Sequence, residues 1–114
     1  MTRPLVRGAV IWVDLSPTRG REQQRTRPAL VVSSAGYLAS VPDLVIVVPI
    51  TSMDRGWPHH VAVRGERVKL SKPSFAMTEQ PRTISRERIA RSAGVADRRV
   101  MEEVGRWLCD FVGL

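Results

Sequence analysis

Residues 43–51 read DLVIVVPIT, and they contain the longest strongly apolar run in the chain, from Leu44 to Ile50. A run of this length that is rich in valine and isoleucine is typical of a β-strand buried on both faces. Because proline has no backbone N–H to donate, Pro49 indicates a bulge or a sheet edge near the end of this strand. The run is far shorter than the roughly 20 apolar residues that a membrane-spanning helix needs. We therefore predict a buried strand here and no membrane span.

Other short runs of β-branched and aromatic residues lie on both sides of this strand and are bounded by turn-forming residues. We expect Pro28 at the first position of its strand, where a missing donor is tolerated. These runs predict further strands at Ala9–Leu15, Pro28–Ser33, Val61–Val63 and Ser74–Gln80.

The hydrophobic period changes near the end of the chain. From Asp97 onward, apolar residues recur at three- and four-residue spacing, which is typical of one face of an amphipathic helix. Asp97 can cap the start of this helix, and Gly113 stands just past its end. Several short strands followed by one terminal helix predict the α+β class, mainly β, with a small antiparallel barrel or sandwich.

The length and composition narrow the class of protein further. A chain of 114 residues fits one domain, so we predict a single domain over residues 1–114. About 43% of the residues are hydrophobic, which is too many for a disordered chain. The N-terminus lacks the apolar core of a signal peptide, and the single cysteine, Cys109, excludes an internal disulfide and a cysteine-built zinc site. We expect a soluble, cytoplasmic protein.

Positive charge dominates the sequence, because 18 lysines and arginines face 11 acidic residues and give a net charge of +7. All of the basic residues except Lys69 and Lys72 are arginines. The planar guanidinium group matches a phosphate in two places, so an arginine-rich surface suits nucleic acid. A GC-rich genome that favours arginine over lysine explains the same composition. The composition therefore does not distinguish the two explanations, and the positions of the arginines are needed to do so.

Four arginines fall within nine positions of the segment that joins the first two predicted strands. These are Arg19, Arg21, Arg25 and Arg27, and the segment contains one carboxylate, Glu22, and no apolar side chain. Guanidinium groups this close repel one another unless an anion or the carboxylate lies among them. The cluster therefore predicts a phosphate-binding loop, although a merely solvated loop also explains it.

Five segments follow one ordered pattern: RGAVIWVDL at 7–15, PTRGREQQRTRPALVVS at 17–33, VVPITS at 47–52, GWP at 56–58 and EQPRTI at 79–84. The pattern resembles the MazF/PemK family of toxin endoribonucleases from type II toxin–antitoxin systems. The resemblance implies an SH3-like, CcdB-like barrel with appended helices that works as a homodimer. It implies metal-independent cleavage of single-stranded RNA, which leaves 2′,3′-cyclic phosphate and 5′-hydroxyl ends. It also implies a cognate antitoxin with an acidic tail, and no cofactor.

The resemblance also assigns site residues. The arginine of the Arg-Pro pair, here Arg27, matches the main catalytic residue of the family, and Thr51 of Pro-Ile-Thr-Ser matches its partner. Because attack by a 2′-hydroxyl gathers negative charge on the phosphate oxygens, a guanidinium and a hydroxyl donor suit these roles. Arginine is a poor base, so Arg27 is expected to stabilise charge or deliver a proton late. The group that removes the 2′-hydroxyl proton stays open, with Glu22 and Glu79 as candidates. RNA contacts are expected at Arg19, Arg21, Glu22, Gln23, Arg25, Ser52, Trp57, Glu79, Gln80 and Arg82.

Two adjacent histidines, His59 and His60, offer a different acid–base pair. Neighbouring residues in a strand point to opposite faces, so we do not expect both imidazoles to address one phosphate. No carboxylate or cysteine neighbours them at a useful spacing, so we expect no metal site. Residues 65–73 match the family poorly and receive no site residue. We expect Trp12 and Trp107 to be packing residues.

Two other functions remain open on the same predicted fold. One is a non-enzymatic toxin related to CcdB, which binds DNA gyrase and would rely on residues of the terminal helix. The other is a nucleic-acid-binding module that has lost activity. The Arg-Pro and Thr-Ser pairs favour the endoribonuclease over both.

Overall fold

The computed structural model describes residues 5–14 and 26–114. Over these ranges, β-branched runs form strands, and the periodic segment at the end of the chain forms the longer helix. A three-residue 3-10 turn, Arg86–Arg88, precedes the last strand. The elements in chain order are β1 (Ala9–Asp14), β2 (Thr26–Val31), α1 (Ala35–Ser40), β3 (Leu44–Thr51), β4 (His60–Ala62), β5 (Phe75–Met77), β6 (Arg82–Ser85), β7 (Ile89–Val95) and α2 (Arg98–Val112).

All strand pairs are antiparallel, and the strands lie in the order β4–β5–β3–β2–β1–β7, with β6 also paired to β3. The predicted class, mainly β with a C-terminal helix, is confirmed, and the barrel is an open one because β4 and β7 do not pair. An irregular segment joins these ends instead: the Lys69 N–H donates to the Ala93 carbonyl at 3.1 Å, and the Asp97 N–H donates to the Arg64 carbonyl at 2.8 Å. Within this segment Arg67 has a φ of 64°, which is incompatible with an extended strand.

β3 is buried on both faces, as predicted. Val45 and Val47 pack into one apolar cluster with residues of β1, β2 and α1, whereas Val48 and Ile50 pack into a second cluster beneath α2. Each valine or isoleucine that is fully buried contributes about 1.5–3 kcal/mol relative to an exposed position. The two clusters therefore fix β3 in the middle of the molecule.

Two prolines lie inside strands. Pro49 lies between Val47, the last residue of β3 paired to β6, and Ile50, the first residue paired to β5. The sheet has a local edge in this interval, so the absence of a donor is tolerated there. Pro28 is the third residue of β2 rather than the first, because β2 begins two residues earlier than predicted.

The sequence pattern fails at short elements. β5 covers only residues 75–77 of the predicted strand Ser74–Gln80, and α1, β6 and β7 were not predicted. α1 has six residues, too few to show a helical period, and it begins where the Ser34 hydroxyl accepts the Tyr37 N–H at 3.1 Å. β7 is rich in small and polar residues, and its pairing with β1 makes it a strand.

α2 has both of the predicted ends. The Asp97 side chain accepts the Val100 N–H at 3.0 Å, and Gly113 adopts the left-handed conformation with a φ of 80°. Val100 and Val104 are the buried residues of the helix and pack into the second apolar cluster. Among the described residues, no helix combines the length and the apolar character needed to cross a membrane.

Candidate active site

A cavity of about 530 Å³ opens beside β2 and β3. Apolar wall residues include Val13 of β1, Ala29 of β2, Val47 of β3 and Met77 of β5. The packing residue Trp12 also lines it, beneath the Arg91 guanidinium, which lies 4.9 Å from the ring centroid. The polar residues that line the cavity are Thr26, Arg27, Thr51, Ser52, Ser71, Lys72, Ser74 and Arg82.

The charge of this cavity is positive. Arg27, Lys72 and Arg82 line it, and no carboxylate belongs to its lining within the part of the chain that the structure describes. Cations that converge on a cleft with apolar walls raise the local concentration of anions. Ser71 and Lys72 also line the cavity, although the sequence assigned no site residue to residues 65–73. The irregular path of that segment brings them to the cavity, and no sequence motif marks them.

Arg27 and Thr51 lie on the same face of the sheet. The pairing of β2 with β3 ends with Ala29 opposite Pro49, and the same register continued by two residues would bring Arg27 opposite Thr51. Residues opposite each other on antiparallel strands have Cβ atoms about 4.5–5.5 Å apart, with both side chains on one face. Both residues also line the cavity, so the structure brings the two side chains together.

The Thr51 hydroxyl is oriented by the backbone that follows it. The Met53 N–H donates to Thr51 Oγ1 at 3.1 Å, so the hydroxyl hydrogen is available for another acceptor. Ser52 is exposed at the rim of the cavity. Arg82 lies on β6 opposite Val47, which places it on the same face of the sheet as Thr51. Three neighbouring strands thus carry hydroxyl and guanidinium donors to one cavity.

A histidine–glutamate cluster lies at the start of β4, where His60 pairs with the cavity residue Met77. His60 Nε2 is 3.1 Å from both carboxylate oxygens of Glu79, and His59 Nε2 is 3.5 Å from Oε1. The prediction that the imidazoles point to opposite faces is therefore wrong. His59 lies in the turn before β4 begins, where the alternation of a strand does not apply. The expectation that no carboxylate neighbours them is also wrong, because Glu79 arrives from nineteen residues further along the chain.

Aromatic rings surround this cluster. The ring centroid of Trp57 lies 5.5 Å from that of His59 and 4.9 Å from that of His60, and the Arg55 guanidinium lies 5.4 Å from the Trp57 ring. Trp57 is 47% exposed, so its face is accessible for stacking on a base. Trp107 packs against the core from α2, as predicted.

The Glu79 carboxylate is engaged by the histidines rather than directed into the cavity. Burial raises the pKa of Glu79, but hydrogen bonds from His60, from the backbone and from Gln80 outweigh this effect, so the pKa lies below its ordinary value. Gln80 is exposed, and its Nε2 donates to Glu79 Oε2 at 3.3 Å. Among the residues that the structure describes, the lining of the cavity does not include Glu79, Gln80 or Trp57. The remaining expected contacts, Arg19, Arg21, Glu22, Gln23 and Arg25, lie outside the described residues.

Comparison with known proteins identifies the family of this chain. The profile of the PemK-like, MazF-like toxins of type II toxin–antitoxin systems matches residues 6–112. The chain belongs to this family. Endoribonuclease toxin MazF of Escherichia coli is 34% identical over 78 residues, which cover 68% of this chain and 66% of that relative, just under two thirds of its length. Endoribonuclease MazF9 of Mycobacterium tuberculosis is 37% identical over 93 residues, covering 77% of this chain and 79% of the relative.

The family fold extends over nearly the whole chain. A crystal structure of MazE–MazF from Deinococcus radiodurans superimposes with a TM-score of 0.79 at 27% identity and covers 99% of both chains. The resemblance inferred from the five sequence segments is therefore confirmed at the level of family and fold.

Proposed function

We propose that this PemK/MazF family member is a toxin endoribonuclease that cuts single-stranded RNA at a phosphate bound between Arg27 and Thr51. The observation that carries the proposal is the composition of the cavity wall. Arg27 and Thr51 line the cavity together with Lys72 and Arg82, and no carboxylate among the described residues lines it. The relatives named as endoribonucleases support the same activity. We propose that residues 1–114 act as one domain.

The proposed reaction is an intramolecular transesterification. The ribose 2′-hydroxyl gives up its proton as its oxygen attacks the adjacent phosphorus, and the bond to the 5′-oxygen breaks. The leaving 5′-oxygen takes up a proton, so the products carry a 2′,3′-cyclic phosphate and a 5′-hydroxyl. Negative charge grows on the non-bridging oxygens, where the permanently protonated Arg27 guanidinium can stabilise it. The Thr51 hydroxyl adds a second donor. Its oxygen accepts the Met53 N–H, and its hydrogen can therefore be donated to a phosphate oxygen. The guanidinium supplies the positive charge, so this chemistry is proposed to be independent of a metal.

Residues around the cavity are proposed to hold the flanking nucleotides. Ser52, Lys72 and Arg82 are suited to neighbouring phosphates because they line the same cavity. The exposed ring of Trp57 is suited to stacking on a base. The expected contacts of Glu79, Gln80 and the arginine-rich loop with RNA are retained as part of this proposal.

We further propose that the protein forms a homodimer and is silenced by a cognate antitoxin with an acidic tail. The structure of a related MazE–MazF complex supports an antitoxin partner, and the net charge of +7 suits an acidic segment. RNA as the substrate implies that the protein acts in the cytoplasm.

Cleavage of a long RNA by the purified chain in excess EDTA tests the proposal. We expect discrete cuts whose products have 5′-hydroxyl ends, and a loss of about 10²–10³-fold in rate for Arg27→Ala. Arg98→Ala is a matched control, because it removes the same charge from an α2 side chain that is 92% exposed. Intact RNA with the wild-type protein, or equal cutting by Arg27→Ala, would overturn the proposal.

A further inference from the structure

The histidine–glutamate cluster has a geometry that the proposed cleavage does not use. One ring nitrogen of each of His59 and His60 and one carboxylate oxygen of Glu79 all lie within 4.8 Å of one another. His60 Nε2 lies 3.1 Å from both carboxylate oxygens, and His59 Nε2 lies 3.5 Å from Oε1. Both imidazoles therefore approach the same carboxylate.

The expected separations around a metal ion can be compared with these distances. Zinc bonds to histidine nitrogen and carboxylate oxygen are about 2.0–2.2 Å long, so two ligands of a tetrahedral ion lie about 3.3–3.5 Å apart. The separations of 3.1 Å and 3.5 Å between imidazole nitrogen and carboxylate oxygen lie within or close to this range. The three groups lie at most 4.8 Å apart, so the two imidazoles would have to move closer together to bind one ion. Small rotations of partly exposed side chains are enough to seat an ion, because the Glu79 and His59 side chains are 29% and 25% exposed.

The ligand side chains are held in place by their surroundings. The buried Thr78 hydroxyl donates to the His59 carbonyl at 2.6 Å and ties the start of β4 to the turn after β5. The His59 ring contacts Trp57, Trp107 and Phe111, with centroid distances of 5.5, 6.0 and 5.7 Å. The His60 side chain is only 2% exposed. Ligands ordered in this way lose little conformational entropy when they bind an ion.

We propose that His59 Nε2, His60 Nε2 and the Glu79 carboxylate form a binding site for Zn²⁺, with solvent as the fourth ligand. Two imidazoles and one carboxylate are a ligand set that suits this ion, and the exposed side of His59 and Glu79 gives it a path from solvent. The ion would replace the His60–Glu79 hydrogen bonds and link the start of β4 to the turn after β5. Since His59, His60 and Glu79 are not among the described residues that line the cavity, the ion is proposed to lie outside the cavity that holds the scissile phosphate.

The surroundings of His60 also set the expected affinity. A histidine that binds a metal normally donates its other ring N–H to an acceptor, and loss of that partner costs about 10–100-fold in affinity. His60 Nδ1 is buried and has no hydrogen-bond partner among the described residues. We therefore expect Zn²⁺ to bind about 10–100-fold more weakly than it would if His60 Nδ1 had an acceptor.

Isothermal titration with Zn²⁺, without RNA, tests the site apart from any nuclease activity. The protein should be free of a histidine tag and should carry Cys109→Ser, because the exposed Cys109 thiol is itself a zinc ligand. We expect one Zn²⁺ per chain, and at least a tenfold loss of affinity in both His59→Ala and Glu79→Gln. The control is Glu66→Gln, which removes one carboxylate from an exposed position outside the cluster.

A second measurement keeps the test independent of any one variant. Co²⁺ in place of Zn²⁺ should give the visible absorption of a four-coordinate ion in the Cys109→Ser protein and lose it in Glu79→Gln. Circular dichroism without metal should show that both variants are folded. No zinc binding to the Cys109→Ser protein, or binding that is equally strong in His59→Ala, Glu79→Gln and the control, would overturn the proposal.

Discussion

Replacing Thr51 with valine removes the hydroxyl group and keeps the shape of the side chain. Valine keeps the branched side chain but lacks the donor that we propose to contact the phosphate. Loss of one preorganised donor to a developing anion typically slows the chemical step about 10²–10³-fold, which corresponds to about 2.7–4 kcal/mol. We therefore expect Thr51→Val to cleave RNA about 10²–10³-fold more slowly than the wild-type protein.

The same substitution should have a much smaller effect on stability. Thr51 is half-buried, and its oxygen accepts a hydrogen bond from Met53 N–H, which contributes about 0.5–1.5 kcal/mol. The pairing of Thr51 with Phe75 of β5 is between backbones, and a β-branched replacement favours the same strand conformation. The expected loss of rate is thus larger than the loss of folded protein can explain.

Single-turnover cleavage of a defined RNA in EDTA measures the rate, and denaturant titration of the same samples measures the free energy of unfolding. Thr51→Ser is the control, because it keeps the hydroxyl and removes only the methyl group. We expect Thr51→Ser to retain most of the activity. Wild-type rates in Thr51→Val, or equal losses in the serine and valine variants, would show that the hydroxyl has no part in catalysis.

Three further predictions concern the fold and the histidine–glutamate cluster. Asp97→Ala removes the acceptor of the Val100 N–H, so denaturant titration should show a loss of about 1 kcal/mol, and Asp97→Asn should restore most of it. Gly94 has a φ of 106°, and in Gly94→Ala the new Cβ would lie 2.3 Å from the Arg67 carbonyl oxygen. We expect the free energy of unfolding to fall by about 3 kcal/mol in a denaturant titration, and an unchanged transition would contradict this close approach. In EDTA, the lowered folded-state pKa of Glu79 means that the unfolded chain takes up the proton first. The wild-type protein should therefore lose stability relative to Glu79→Gln as the pH falls below about 4.5, and thermal midpoints across a pH series test this.

The elements that the sequence predicts well are those whose side chains carry a clear period. β1 and β3 are short runs of β-branched residues, and α2 has a helical repeat between the cap at Asp97 and the left-handed Gly113. β7 lacks such a pattern, and its strand depends on pairing with β1 and on Gly94, where the backbone of Arg67 approaches closely. Long-range pairing of this kind leaves no periodic signal in the local sequence.

The candidate site divides in the same way. Arg27 and Thr51 could be found because each is part of a motif and lies in or beside a strand with a clear β-branched pattern. Lys72 could not be found, because an irregular segment brings it to the cavity. The error about His59 came from applying strand alternation to a residue in a turn. The position of Glu79 beside it depends on the pairing of β4 with β5, which a distance along the chain does not reveal.

The register between β2 and β3 fixes the proposed catalytic pair as firmly as it fixes the core. In this register Val31 faces Val47, and the same alternation carries Arg27 to the face that holds Thr51. A slip of one residue would turn Arg27 to the other face and would exchange Val31 of one apolar cluster with Leu30 of the other. Both of these side chains are fully buried, and each contributes about 1.5–3 kcal/mol through burial. Packing on both faces therefore opposes the slip, and the register that satisfies the core also places a guanidinium beside a hydroxyl.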